Sequence, residues 1–262
     1  MRSIVLVFLW GLVLLCGASP ITASAQEAPS NLSLVLLIGQ SNMSGRGMIE
    51  PQDTVQIPGF FRLNAANQWT PAIDPLHWDN PKAGVGLGRE FARALVNARP
   101  GAQIGLIPAA VGGTSLERWQ PRGELYNQAL ARLRVAQKSG KLVAILWHQG
   151  EADSSRAELS STYASRWVAV MKQLRADAGT PNVPIVAGEL GEFLQRPYAH
   201  IVDEQIDSLP RLLDHVAVAP AKGLTDRGDQ LHFDSVSQRE FGRRYAAAFF
   251  AIAPNWIQAA AQ

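Results

Sequence analysis

Four short stretches of the sequence bring together residue types able to carry nucleophilic chemistry. The first is Gly39-Gln40-Ser41-Asn42-Met43, directly after an apolar run. A serine at the carboxyl end of a buried strand would project its hydroxyl into the crevice of an open α/β sheet, where main-chain N–H groups can face a developing oxyanion. Taken alone, such a serine would serve as readily to cap a helix or turn. The second stretch is Asp229-Gln230-Leu231-His232-Phe233, just before the last helical pattern. A serine nucleophile needs a base to take its proton, and that base must be held in one tautomer by a third group. An Asp and a His three residues apart on a turn can meet, carboxylate against Nδ1. Alone, the pair reads as a salt bridge or a helix cap.

The other two stretches offer hydrogen-bond donors. In Val111-Gly112-Gly113-Thr114-Ser115, paired glycines let main-chain N–H groups approach a ligand with no Cβ in the way. In His148-Gln149-Gly150-Glu151-Ala152-Asp153, the Gln149 amide could donate to an oxyanion. One such donor contributes about 3–4 kcal/mol of transition-state stabilisation. Their bland alternatives are a strand-to-helix turn for Gly112 and Gly113 and a satisfied core histidine for His148.

These stretches gain weight from the elements that must position them. Apolar runs at 32–38, 102–108, 142–147, 183–190 and 215–219 read as strands buried on both faces of a parallel sheet. Helical spacing appears at 86–97, 125–138, 161–176 and 236–252. Alternating strands and helices predict a three-layer α/β/α sandwich with a mostly parallel, flavodoxin-like sheet. Three of the four stretches fall at the carboxyl ends of successive predicted strands, and the fourth lies just before the closing helix. The segment 48–82 holds five prolines and no clear period, and reads as a long loop over the sheet's carboxyl edge.

Composition sets the remaining bounds. The 262 residues are 47% hydrophobic and 18% charged, and suffice for one sizeable core. Twenty-four basic residues stand against 22 acidic, with no Lys/Arg cluster to suggest a nucleic-acid partner. The first residues read as an export signal: Arg2, an apolar stretch over 4–15, and Ala23-Ser24-Ala25 as a cleavage site. The stretch falls short of the roughly 20 residues that span a bilayer. Leu15 stands where a lipidated cysteine would require a small residue. Cleavage after Ala25 removes Cys16, the one cysteine, so a single mature domain at 26–262 has no disulfide or thiol chemistry and no stable membrane insertion. The expected location is periplasmic or extracellular. The five histidines are too dispersed to predict a metal, and no cofactor motif follows a strand.

In order, the Ile38–Gly45, Gly112–Ser115, His148–Asp153 and Asp229–Phe233 blocks resemble the sialate O-acetylesterase-like domain of the SGNH-hydrolase superfamily, which includes carbohydrate esterase family six, the acetylxylan esterases. The resemblance covers nearly the whole expected mature chain. It implies a serine esterase removing acetyl groups from a carbohydrate such as acetylated xylan, with Ser41 as nucleophile, His232 as base and Asp229 as its orienter. A sialate O-acetylesterase or a short-chain acyl esterase on the same machinery is the alternative, and a carbohydrate-binding protein without catalysis a remote one. The Ser41 amide, Gly113 and Gln149 would form the oxyanion hole, supported by Gln40, Asn42, Gly112, His148 and Glu151. Gln40 replaces the superfamily's common Asp, and Gln149 its common Asn; both suit this branch. Glu151 is a second candidate to orient the histidine, or else to hold His148 or Gln149. Trp69, Trp78 and Trp119 are candidates to pack against a sugar ring, and Arg118 to meet an acidic one.

Overall fold

Leu32–Gly39 forms the central strand β1, and the fate of its side chains explains its lack of polarity. Leu32, Leu34, Leu36 and Ile38 enter one core, while Val35 and Leu37 enter the other. A strand covered on both faces must be apolar at both parities. The computed structural model describes residues 29–78 and 80–258. The expected export signal therefore lies outside the described residues.

Six more strands complete the sheet: β2 (Phe60–Leu63), β3 (Trp69–Pro71), β4 (Ile104–Pro108), β5 (Gly140–His148), β6 (Ile185–Gly188) and β7 (Val216–Ala219). Their order is β3-β2-β4-β1-β5-β6-β7, parallel throughout except for the β2–β3 pair. Without that pair the order is flavodoxin-like, as expected. The chain builds outward from β1 to β4 on one side and then crosses from β4 to β5 on the other, and ligands bind at such a switch point.

The helices are α1 (Ser41–Ser44), α2 (Gly88–Ala98), α3 (Glu124–Ala136), α4 (Ala157–Ser161), α5 (Tyr163–Asp177), α6 (Ala199–Leu212), α7 (Ser235–Ile252) and α8 (Asn255–Gln258). Helices α2 and α7 bury Phe91, Leu95, Phe241 and Phe249 on one face of the sheet. On the other, α3, α5 and α6 bury Leu133, Trp167, Met171 and Ile206. Among the described residues no helix is long and apolar enough to cross a membrane.

Two elements depart from the sequence reading. The segment 48–82 is more than a loop, because β2 pairs with β4 and carries the antiparallel β3 at the sheet's edge. These strands have four and three residues, too few to show a period among the prolines. Helix α6 is not expected from the sequence, because Pro210 lies inside it.

At the end of β1, Gly39 pairs with His148 at a φ of +133°. A Cβ on Gly39 would stand 2.1 Å from the His148 carbonyl oxygen. The two strand ends can thus lie side by side before their loops diverge. Gly39→Ala is expected to cost about 3 kcal/mol or more from strain and overlap, whereas Gly179→Ala should cost about 1–2 kcal/mol from left-handed strain alone. Gly179 also has positive φ, but no atom lies within 4 Å of its Cβ position. Urea unfolding of both variants checks this, and equal losses would contradict it.

Candidate active site

Ser41 opens the single turn of α1, and its hydroxyl stands 3.0 Å from His232 Nε2. The other ring nitrogen, Nδ1, is 2.8 Å from Asp229 Oδ2. Asp229 Oδ1 accepts the N–H groups of Leu231, at 3.1 Å, and His232, at 2.8 Å. Gln230 adopts a positive φ of 54°, which turns the carboxylate back over its own loop. Partial burial pushes the Asp229 carboxyl up, but hydrogen bonds from the His232 ring and from the N–H groups of His232 and Leu231 outweigh it and hold it below its ordinary range. An anionic Asp229 fixes the tautomer in which His232 Nε2 can accept the serine proton.

The glycine turn after β4 runs beside the same serine. Past its last residue, β4 stays paired with β1, since Val111 N–H donates to the Gly39 carbonyl at 3.0 Å. Gly112 is thereby brought so close that a Cβ on it would lie 3.6 Å from Ser41 Cβ and 2.7 Å from Arg46 Nη2. Gly113 follows at a φ of +74° with open space above it. Among the described residues no backbone carbonyl takes the N–H of Ser41, Gly112 or Gly113 outside regular helix and strand bonding.

Gln149 departs from the sequence expectation. It is fully buried, and its Nε2 donates to the Thr114 carbonyl at 3.0 Å and to Asp153 Oδ2 at 2.7 Å. Both amide hydrogens are consumed, and Oε1 faces the Tyr163 hydroxyl at 3.1 Å. Gln149 therefore ties the β4 and β5 loops together and has no donor left for the cleft. Asn80 was missed, because it lies in a segment without period. Its side-chain Oδ1 accepts the Lys82 N–H at 2.8 Å, and its Nδ2 lies 3.4 Å from the Cβ position of Gly112.

Behind Ser41 lies a second polar layer. Asn42 Nδ2 donates to Glu151 Oε1 at 2.5 Å and to the Leu231 carbonyl at 3.0 Å, and its Oδ1 accepts the Phe233 N–H at 3.2 Å. Glu151 Oε1 also lies 3.4 Å from His148 Nε2. Burial pushes the Glu151 carboxyl up, but the neighbouring His148 imidazole and the Asn42 amide together bring it below its ordinary range. Glu151 thus bonds to Asn42 and stands beside His148, and Asp229 is the acid on the His232 ring. Gln40 Oε1 accepts the Ala152 N–H at 3.3 Å, which pins the β5 loop to the serine turn.

The cleft above Ser41 and His232 has a volume of about 480 Å³, with Asn80, Lys82, Gly113, Glu151 and Arg196 in its walls. A larger cavity, about 810 Å³, opens where β1 and β5 begin, at the other end of the strands; no serine–histidine pair lines it. The expected sugar-facing residues stand elsewhere. Trp119 is buried with its indole on Thr114, Trp69 bonds Ser139 from the edge strand, and Trp78 lies under Arg132. Arg118 pairs with Glu124. All four lie near the cleft residues in sequence, and the turns after the strands do not preserve that nearness in space. Among the described residues no three His, Cys, Asp or Glu side chains are grouped to hold a metal ion.

Residues 31–251 match the family described as carbohydrate esterase, sialic acid-specific acetylesterase. A probable carbohydrate esterase of Arabidopsis thaliana is 32% identical over 236 residues, covering 82% of this chain and 89% of its own. The crystal structure of an Arabidopsis thaliana protein superposes with a TM-score of 0.79 at 31% identity, over 85% of this chain and 99% of the other. The fold is shared with NanS (TM-score 0.71, 18% identity, 88% of this chain and 99% of the other). It is also shared with a carbohydrate acetylesterase from Xanthomonas citri (TM-score 0.63, 19% identity, 86% and 57%). With an intact serine–histidine–aspartate chain at the expected end of the sheet, this protein belongs to the carbohydrate esterases of the sialic acid-specific acetylesterase family.

Proposed function

We propose that the protein hydrolyses O-acetyl groups on carbohydrates, with Ser41 as nucleophile, His232 as general base and Asp229 as the group that orients it. The observation that carries this reading is the unbroken hydrogen-bonded chain from Asp229 through His232 to the Ser41 hydroxyl. His232 Nε2 takes the hydroxyl proton as Ser41 Oγ attacks the acetyl carbonyl. The carbonyl oxygen becomes an oxyanion facing the N–H groups of Ser41 and Gly113, with the Asn80 amide in the part expected of Gln149. The carbon–oxygen bond to the sugar then breaks, and His232 returns the proton to the leaving sugar oxygen. Water, deprotonated by the same imidazole, attacks the acetyl-serine; the bond to Ser41 Oγ breaks, His232 returns the proton to Oγ, and acetate leaves. The amino-terminal signal pattern supports export, so that the enzyme meets its glycan outside the cytoplasm.

Neutral acetylated glycans such as xylan and acidic ones such as sialic acid both suit this chemistry. Lys82 and Arg196 favour a second reading, an acetyl-bearing sugar with a carboxylate. Both are exposed, both line the cleft, and neither makes an ion pair among the described residues. If that sugar is the substrate, Lys82→Ala with Arg196→Ala should raise KM for O-acetylated sialic acid about tenfold, the worth of one charge-assisted hydrogen bond, and leave a neutral aryl acetate unchanged. An equal effect on both esters, or none, would exclude it.

Acetate release from acetylated xylan, acetylated sialic acid and an aryl acetate tests the main reading. Ser41→Ala should lower all of these rates at least about a thousandfold. Full activity in that variant would overturn the mechanism. Activity should also fall on acidification, because protonated His232 cannot accept a proton. Asp229, held below its ordinary range, stays anionic there and contributes no separate limb. A pH–rate profile with no acid limb would contradict a histidine base.

A further inference from the structure

We propose that Asn42 is a positioning residue of this esterase: its side-chain amide fixes the main chain on both sides of His232 relative to Ser41, and Glu151 fixes the amide. The inference rests on the proposed roles of Ser41 and His232.

The three bonds of the amide use its polarity in full. Its Nδ2 hydrogens go to the Leu231 carbonyl and Glu151 Oε1, and its Oδ1 receives the Phe233 N–H. The residues before and after His232 thus present one acceptor and one donor, which an amide meets with a single plane. Aspartate would lose the donor and would set its charge against Glu151. Alanine would leave Leu231 and Phe233 without their partner. Because Asn42 follows Ser41 in the same turn of α1, its Cα cannot shift without moving the nucleophile. The base is therefore located against the serine by one short side chain, although 191 residues separate Ser41 from His232.

Glu151 explains why the amide keeps this orientation. A flipped Asn42 would turn Oδ1 towards the Glu151 carboxylate and break all three bonds. Glu151 is 3% exposed and makes no hydrogen bond to His232 or Ser41, so its action on the base is indirect. The Asn42 carbonyl also accepts Gln238 Nε2 at 3.1 Å, tying the start of α7 into the same unit.

A merely structural Asn42 would change stability alone. A positioning role predicts a loss of kcat at nearly constant KM, because a displacement of the base by about 1 Å can cost about 100-fold in rate. The test uses the full-length protein and its Asn42→Ala, Asn42→Asp and Glu151→Gln variants. Two quantities are read below the thermal midpoint of each: kcat and KM on an aryl acetate, and the rate at which a fluorophosphonate labels Ser41. Asn42→Ala and Asn42→Asp should lose about 100-fold in kcat and in labelling, with KM within about threefold. Glu151→Gln keeps the shape and relaxes the orientation, and should lose about tenfold. A folded Asn42→Ala with both rates near wild type would overturn the proposal. Should that variant fail to fold, an unchanged Glu151→Gln would overturn it instead. Labelling separates this inference from the esterase reading. A wild type that labels but releases no acetate refutes the activity while the variant comparison still decides the role of Asn42. A wild type that neither labels nor releases acetate refutes both.

Discussion

The 3.0 Å approach of His232 Nε2 to Ser41 Oγ joins the first strand's exit to the loop before α7, and much of the structure serves to hold it. On the serine side, β1 lies at the centre of the sheet and is hydrogen-bonded along both edges, so its end is among the most constrained points of the chain. On the histidine side, the loop is closed by a bridge between Asp226 and Phe233 and by the bond from Arg227 N–H to the His232 carbonyl. Arg227 Nη1 then donates to the Arg46 carbonyl at 2.7 Å, which ties this loop to the segment after α1. An imidazole carried on an exposed loop thereby acquires the precision of a sheet terminus.

The polar residues beneath the cleft behave as a connected network. Asp153 Oδ2 receives Gln149 Nε2 and the Leu116 N–H, while Oδ1 receives Arg166 Nη2 at 2.8 Å. Tyr163 donates to the Gln149 carbonyl at 2.7 Å. Gln149, Asp153 and Tyr163 are fully buried, and a buried polar group without a partner would cost about 1–3 kcal/mol. Their mutual bonds meet that demand and lock the loops after β4 and β5 in register. The glycines that border Ser41 are thus held by residues that do not touch the cleft themselves.

Much of this was legible in the sequence, for identifiable reasons. Strands buried on both faces leave unbroken apolar runs, so β1, β4 and β5 stood out together with the turns that follow them. Ser41, Gly113, Asp229 and His232 sit in those turns or in the short loop before α7, where local spacing and spatial proximity coincide. Gln149 did not follow. Its position in the chain lies beside the cleft, yet the direction of its side chain is decided by Thr114, Asp153 and Tyr163, residues far apart in sequence. Asn80, Lys82 and Arg196 were missed for the converse reason, because each stands in an irregular stretch that only the folded chain brings to Ser41. Trp119 shows the same limit, since its ring turns inward to Trp147, with centroids 5.6 Å apart.

Everything proposed for the cleft requires Ser41 to carry the acetyl group between attack and release. Mixing the protein with an aryl acetate, quenching in acid within the first turnover and locating the acetyl group by peptide mass spectrometry measures this directly. Acetylation is expected at Ser41, formed and lost at rates compatible with turnover. Acetate production with no acetyl on Ser41, or with the acetyl group on another residue, would contradict it.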